Sequence, residues 1–271
     1  MKPRLEACYF GDGECGEWPR LATVLRHTAA RHCPDWAPHI VALPPPPRTL
    51  DVFAPDMNRN NTWKLDYWCS RIEHAEDGAR VLLMDTDMVI LRPLDAVWQQ
   101  PFDVAYTTRP AEYPFNAGVV FVRVSEVSRA FVRLWRDENR RMFADRAYHR
   151  PWRRKYGGMN QAALGCVLES AQRQTLSILP LSCAEWNSED ASWPAFDPAV
   201  CRVLHVKSAL RRTIFGSGPP LRELQHLARL WGDLERAASA EASFDTHRTG
   251  PACTNDVGAG AQQPGTSSGG P

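Results

Sequence analysis

The run Val81-Leu82-Leu83-Met84-Asp85-Thr86-Asp87-Met88-Val89-Ile90 places two carboxylates, separated by one residue, inside a segment of large apolar side chains. An apolar run of that length reads as a strand buried on both faces, with Asp85 and Asp87 where it emerges at its carboxyl end. Open α/β sheets bind their ligands at that end. No Lys or Arg adjoins the two acids in the sequence, so they repel each other, and a hard divalent cation with oxygen ligands satisfies both at least cost. The chemistry that follows is a metal-assisted reaction on a phosphate-bearing substrate. The competing structural explanation is that the two aspartates cap a turn, a common use of Asp.

The elements that must position this pair follow from periodicity. Leu5 to Phe10 reads as a strand, Gly11-Asp12-Gly13 as a turn, and Pro19 to His32 as a helix with Leu21, Val24, Leu25 and Thr28 on one face. Ala37 to Leu43 reads as a second strand, stopped by four consecutive prolines from Pro44 to Pro47, which must form an extended surface segment. A helix is expected from near Thr62, its face formed by Leu65, Trp68, Cys69 and Ile72, delivering the chain into the Val81 strand. Alternating strands and helices argue for a mostly parallel sheet covered on both sides. Beyond the acidic pair, Phe102 to Thr107 and Phe115 to Val124 are strands with no room for a helix between them, which predicts a mixed sheet. A long helix follows from about Ser125 to Ala144 with Val127, Phe131, Leu134, Trp135 and Met142 inward. Gly157-Gly158-Met159-Asn160-Gln161 opens another, with Ala162, Ala163, Cys166 and Val167 as a small-residue face. Arg202 to Lys207 is a short late strand, and Pro219 to Ala237 a last helix striped by Leu221, Leu224, Leu227, Trp231 and Leu234.

Composition fits one soluble globular α/β domain: 271 residues, 44% hydrophobic, 23% charged, formal charge +1. No stretch has the length of a membrane span, and Met1-Lys2-Pro3-Arg4 leads directly into a strand, so a cytoplasmic location is expected. The near-zero net charge gives no reason to expect a nucleic-acid partner. The eight cysteines are scattered with no Cys-x-x-Cys pair, so neither a zinc knuckle nor a redox motif is suggested. Ten Lys or Arg against three acids lie between Arg129 and Lys155, a solvated face or an attractor of an anionic acceptor or membrane surface. From Ala238 onward large apolar residues nearly vanish, so residues 1–237 are expected as a single domain and 238–271 as a disordered tail.

Taken in order, Asp85-Thr86-Asp87, Phe115-Asn116-Ala117-Gly118-Val119-Val120, Gly158-Met159-Asn160-Gln161, Asn187 and His205-Val206-Lys207 resemble the landmarks of GT-A-fold glycosyltransferases, most of all the glycogenin and lipopolysaccharide galactosyltransferase group. The resemblance spans roughly Leu5 to Arg212. It implies a Rossmann-like mixed sheet flanked by helices and transfer of a hexose, with retention, from a nucleotide-sugar donor, of UDP type, to a glycan, lipid or protein acceptor. Asp85, Asp87 and His205 would hold manganese, or magnesium, an octahedral N/O set that suits manganese somewhat better. Lys64 would reach the nucleotide-sugar and Lys207 or Arg211 its diphosphate; Asn116, Gly118 and Asn187 would lie near the sugar, and Tyr9 would stack on the base.

Asn160 and Gln161 would be the catalytic pair, yet relatives carry Asp-Gln there. An amide cannot accept a proton, so any mechanism needing a carboxylate at Asn160 is in doubt, and a nucleotide-sugar-binding protein with weak catalysis is an alternative. The family's glycine-containing run after His205 is also replaced, by Val206-Lys207-Ser208. A rival class shares the Asp-x-Asp-x-Val pattern: haloacid-dehalogenase-like phosphatases, with a nucleophilic first Asp and an acidic second. They place the motif near the amino terminus and need a later acidic pair after a strand for magnesium, whereas here about eighty residues precede the motif and Gly232-Asp233 lies in an amphipathic helix.

Overall fold

The computed structural model describes residues 1–11, 16–46, 56–170, 176–216 and 221–248. The expected alternation is present: β1 (Arg4–Phe10), α1 (Glu17–His32), β2 (Ala37–Leu43), α2 (Asp56–Glu73) and β3 (Arg80–Met84) follow one another. On α1, Leu21, Val24, Leu25 and Thr28 are fully buried, as their spacing requires. The second helix starts well before Thr62. Its first turns carry Asn58, Asn60 and Asn61 and announce no apolar stripe, which begins only at Leu65.

The apolar decapeptide is not one strand. The sheet strand ends at Met84, and Met88–Ile90 forms a separate strand, β4. Asp85-Thr86-Asp87 is therefore a link between two sheets. It is pinned at both sides: the Asp85 N–H donates to the Gly118 carbonyl at 2.9 Å, and Thr86 Oγ1 donates to the Cys8 carbonyl at 2.8 Å.

After the link come β5 (Val104–Thr108), β6 (Phe115–Arg123), α3 (Glu126–Ala144), α4 (Arg146–Tyr156), α5 (Asn160–Glu169), β7 (Ile178–Ser182), α6 (Cys183–Trp186), β8 (Val203–His205), α7 (Ser208–Phe215) and α8 (Gln225–Arg248). The main sheet has the order β2-β1-β3-β6-β5-β7, with β6 antiparallel to both its neighbours and the other pairs parallel. This is the mixed sheet that the short β5–β6 connection demanded. Strand β7 was not legible; it contains Pro180, which only an edge strand tolerates.

Both sheet faces are covered. Val81, Leu83, Val120 and Val122 face α2, α3 and α5, while Leu82, Met84, Val119 and Phe121 face the α1 side and Trp98, Phe102 and Trp186. A third cluster of Leu21, Val89, Leu204, Leu210, Leu227 and Trp231 clamps the small β4–β8 sheet beneath α1, α7 and α8.

Several expectations need correction. Val127 is 39% exposed, because Ser128 takes the inward place of the first turn in a capping box with Ser125, and burial of the stripe starts at Phe131. The charged segment after α3 is itself a helix, α4, started by Asp145 accepting from the N–H groups of Ala147 and Tyr148. Leu221 is exposed rather than part of the last stripe. Finally, α8 does not stop at Ala237: it runs to Arg248, Ala238 is buried, and Glu241 Oε2 meets His27 Nδ1 at 2.7 Å. Alanine-rich sequence there makes helix rather than a loose tail. Asp12, Gly13, Pro47, Pro219, Pro220 and residues 249–271 lie outside the described residues. Among the described residues no helix is long and apolar enough to cross a membrane.

Candidate functional site

A cleft of about 610 Å³ opens at the carboxyl ends of β1 and β3. Its walls come from five places: Cys8 to Phe10 of β1, Trp18 of α1, Asn60, Asn61 and Lys64 of α2, the Asp85–Asp87 link, and His205, Lys207, Ser208 and Arg211 around the start of α7. The volume suits a nucleotide-sized ligand.

Asp85, Asp87 and His205 each turn one ligand atom to a common point, the three atoms lying within 4.8 Å of one another. Asp87 is bound on two sides, by His205 Nε2 3.3 Å from Oδ1 and Arg211 Nη1 3.7 Å from Oδ2. Burial pushes its carboxyl upward, but His205, Arg211 and Lys64 together outweigh burial and hold it below the usual carboxylate range. It is therefore ionised at neutral pH. Lys64, almost fully buried, pairs its Nζ with Asp85 Oδ1 and lies over the Trp68 ring at 4.7 Å.

Behind the cleft wall a chain of amides fixes the imidazole. Asn187 Nδ2 donates to Thr107 Oγ1 at 2.9 Å and to Asn116 Oδ1 at 3.1 Å, which turns the Asn187 oxygen to His205 Nδ1 at 3.1 Å. An amide oxygen only accepts, so His205 Nδ1 carries the hydrogen and Nε2 faces Asp87. Nε2 and Oδ1 are both lone-pair atoms unless a positive centre, a proton or a cation, comes between them. With two carboxylates and an imidazole offering ligand atoms within 4.8 Å of one another, the donor set fits a divalent cation.

Asn116 does not line the cleft; it accepts from the Gly118 N–H at 2.8 Å and donates to Glu189 at 3.0 Å. Gly118 lets the side-chain ends of Asp85 and Met88 approach the backbone closely. A Cβ there would lie 2.8 Å from Asp85 Oδ2 and 2.6 Å from the Met88 methyl. Glu189, fully buried, pairs with both Lys207 and Arg109. Arg211 bonds Glu17 at 2.8 Å and stacks on Trp18, 4.1 Å from the ring centroid. Ser208 has φ +47°, so the run that lacks glycine still makes a left-handed turn between His205 and α7.

The structure thus brings Tyr9, Lys64, Asp85, Asp87, His205, Lys207 and Arg211 to one cleft and sets Asn116, Gly118 and Asn187 directly behind it. Asn160 and Gln161 are not in its lining. Gln161 Nε2 donates to the Tyr156 carbonyl, one of the orphan acceptors at the end of α4, and the Asn160 carbonyl accepts from Trp135 Nε1 at 2.7 Å. Trp18, Asn60, Asn61 and Glu189 were not singled out by sequence. Asn60 and Asn61 stand one turn before Lys64, a spacing that would have flagged them had the true start of α2 been evident; Glu189 offers no sequence signal. Asp233, on which the phosphatase reading depends, lies on α8 paired with Arg236, and is absent from this lining.

The mixed sheet and its covering helices have the GT-A fold of solved glycosyltransferases. Similar solved structures include the apo form of the glycosyltransferase GlyE of Streptococcus pneumoniae TIGR4, at 12% identity and TM-score 0.56, covering 91% of this chain and 64% of that one. A glycosyltransferase involved in glycosylation of the major capsid of PBCV-1 is similar at 12% identity and TM-score 0.50, covering 78% of this chain and 97% of that one. This chain spans under two thirds of the solved GlyE chain, and at these identities the likeness is one of fold. No protein-family model and no curated protein matches the sequence.

Proposed function

We propose that this chain is a metal-dependent glycosyltransferase that moves a hexose from a nucleotide-sugar, of UDP type, to a glycan, lipid or protein acceptor with retention of configuration. The supporting observation is the convergence of Asp85, Asp87 and His205 on one point in a nucleotide-sized cleft whose other charges, Lys64, Lys207 and Arg211, are cationic. Its residues divide into roles. Tyr9 and Trp18 offer ring faces to the base at the β1 and α1 side. Lys207 and Arg211 approach the diphosphate from the α7 side, Arg211 through a guanidinium held by Glu17 and Trp18. Asn187 keeps His205 Nε2 free to act as a ligand. Asp85, Asp87 and His205 would hold a divalent cation, manganese or magnesium, which would supply Lewis-acid neutralisation of the departing diphosphate. Six cysteines are free among the described residues, in keeping with a reducing, cytoplasmic setting.

Gln161 retains its proposed place beside the reacting sugar only if its amide leaves the Tyr156 carbonyl when donor binds. One set of measurements tests both assignments: UDP-hexose consumption and donor-induced thermal shift with manganese, in wild type, Asp87→Asn and Gln161→Ala. A donor at 100 times its dissociation constant should stabilise the wild type by about 2.7 kcal/mol. Asp87→Asn should lose the manganese-dependent shift and turnover, and near-normal turnover in that variant would overturn the metal-site reading. Gln161→Ala should lower turnover more than it lowers melting temperature. The reverse pattern assigns Gln161 to the helix end alone.

A further inference from the structure

The two helices that carry the basic run treat their arginines differently. On α3 every arginine has a carboxylate: Arg129 pairs with Asp77, Arg133 with Glu73 and Glu126, Arg136 with Asp137, Arg140 with Asp66, and Arg141 with Glu138. On α4, Arg146, Arg150, Arg153 and Arg154 are all exposed, and none has an ion pair or hydrogen-bond partner among the described residues. Their spacing of i, i+4, i+7 and i+8 puts the four guanidinium groups on one face.

Local helix energetics do not account for that stripe. Cations in a last turn are favoured by the helix dipole, which covers Arg153 and Arg154. Arg146 opens the helix, where a cation is disfavoured, and like charges four residues apart repel. The opposite face is fixed to the domain: His149 and Tyr156 are buried, and Tyr148 donates to Glu138 at 2.8 Å. Trp152, half-buried on the same helix, stacks on Tyr156 with ring centroids 6.3 Å apart.

The position of α4 relates it to the cleft. Gly157, which ends it, packs against Tyr113 so closely that a Cβ would lie 3.1 Å from that ring. Tyr113 belongs to the connection between β5 and β6, and the pairs Thr108↔Phe115 and Met84↔Val119 place that connection at the same sheet edge as Asp85. The carboxyl end of α4 therefore stands on the cleft's side of the sheet.

We propose that the Arg146, Arg150, Arg153 and Arg154 face of α4 docks on an anionic lipid surface and holds the cleft's edge of the sheet close to it. A basic helix face flanked by an amphipathic aromatic matches the headgroup layer in charge and chemistry. With a formal charge of only +1 the chain has no general basic field of the kind a nucleic acid would exploit, so the patch is local. The inference is independent of the transferase reading and is tested without turnover.

The experiment is co-sedimentation of the full chain with vesicles of phosphatidylcholine alone and of phosphatidylcholine containing phosphatidylglycerol, at low and high salt. Binding should require the anionic lipid and weaken as salt screens it. A basic side chain at an anionic surface is worth about fivefold in binding, so the joint Arg146→Gln, Arg150→Gln, Arg153→Gln, Arg154→Gln variant should bind at least about tenfold more weakly. Arg146→Gln alone relieves an unfavourable charge at a helix start, keeps the fold, and should still show part of the loss. Replacing the paired Arg133 and Arg140 by Gln should leave binding near wild type. Equal binding to neutral vesicles, unchanged binding of the joint variant, or retention on heparin without vesicle binding would each overturn the proposal.

Discussion

Asn187 shows how much of the site depends on a residue that does not line the cleft. Its nitrogen is committed to Thr107 and Asn116, so its oxygen has one orientation, and that orientation decides which His205 nitrogen faces Asp87. Asn187→Ala should therefore weaken manganese binding by about 10- to 100-fold, the usual cost of losing a partner that orients a ligand. Titration with Mn²⁺ followed by its paramagnetic resonance signal measures this directly. Unchanged affinity would mean that His205 is held by its backbone alone. At this scale the sequence was a good guide to what converges and a poor one to how. The acidic pair and His205 could be found from order and residue type, since carboxylates leaving a buried strand have few structural uses. The backbone at Ser208 could not be read from sequence: serine rarely adopts a positive φ, yet it takes φ +47° here. Nor was there a signal for Glu189, whose role as the buried counter-ion of Lys207 and Arg109 exists only once three distant segments have met.

Among the elements, strands and helices with a clear apolar period were legible and those defined by their neighbours were not. Helix α4 carries Pro151 and six charged or histidine side chains in eleven residues, and its inward face is short; only packing on α3 and α5 makes it a helix. The split of the acidic strand into β3 and β4 was hidden because a buried strand of one sheet and the next strand of another share the same composition. His149 gives α4 a measurable pH signature. Burial, aided by Arg153, outweighs its hydrogen bond to the Gly158 carbonyl and lowers its pKa below histidine's usual 6.5. A neutral ring is thus preferred in the folded state and a protonated one is accessible on unfolding. The stabilisation is complete above about pH 6.5 and is lost as pH falls through the lower folded value. Melting curves of wild type and His149→Gln should diverge at neutral pH and approach each other between about pH 7 and 5. A gap that stays constant across that range would show that the ring is not titrating against burial.

For the whole molecule, the main sheet alone does not complete the cleft. Asp87 and His205 are held by β4 and β8, a two-stranded sheet that would be marginal by itself and is kept in place by the cluster of α1, α7 and α8. The last helix is therefore part of the site's foundation although none of its residues lines the cleft. Composition suggested that structure ends at Ala237, because alanine and serine contribute little apolar area. The same residues are strong or neutral helix formers once Leu227 and Trp231 have anchored the preceding turns. Two truncations separate these views. Ending the chain after Arg248 should leave the melting temperature close to that of the full chain, since residues 249–271 offer almost no large apolar side chains. Ending it after Ala237 removes buried Ala238 and the Glu241 partner of His27, a loss of about 1 kcal/mol that should lower melting by about 2–4 °C. Because α8 bears on the β4–β8 clamp, the shorter chain should also bind manganese less tightly. Equal melting temperatures and equal manganese affinity in the two truncations would mean that the helix beyond Ala237 carries no load for the site.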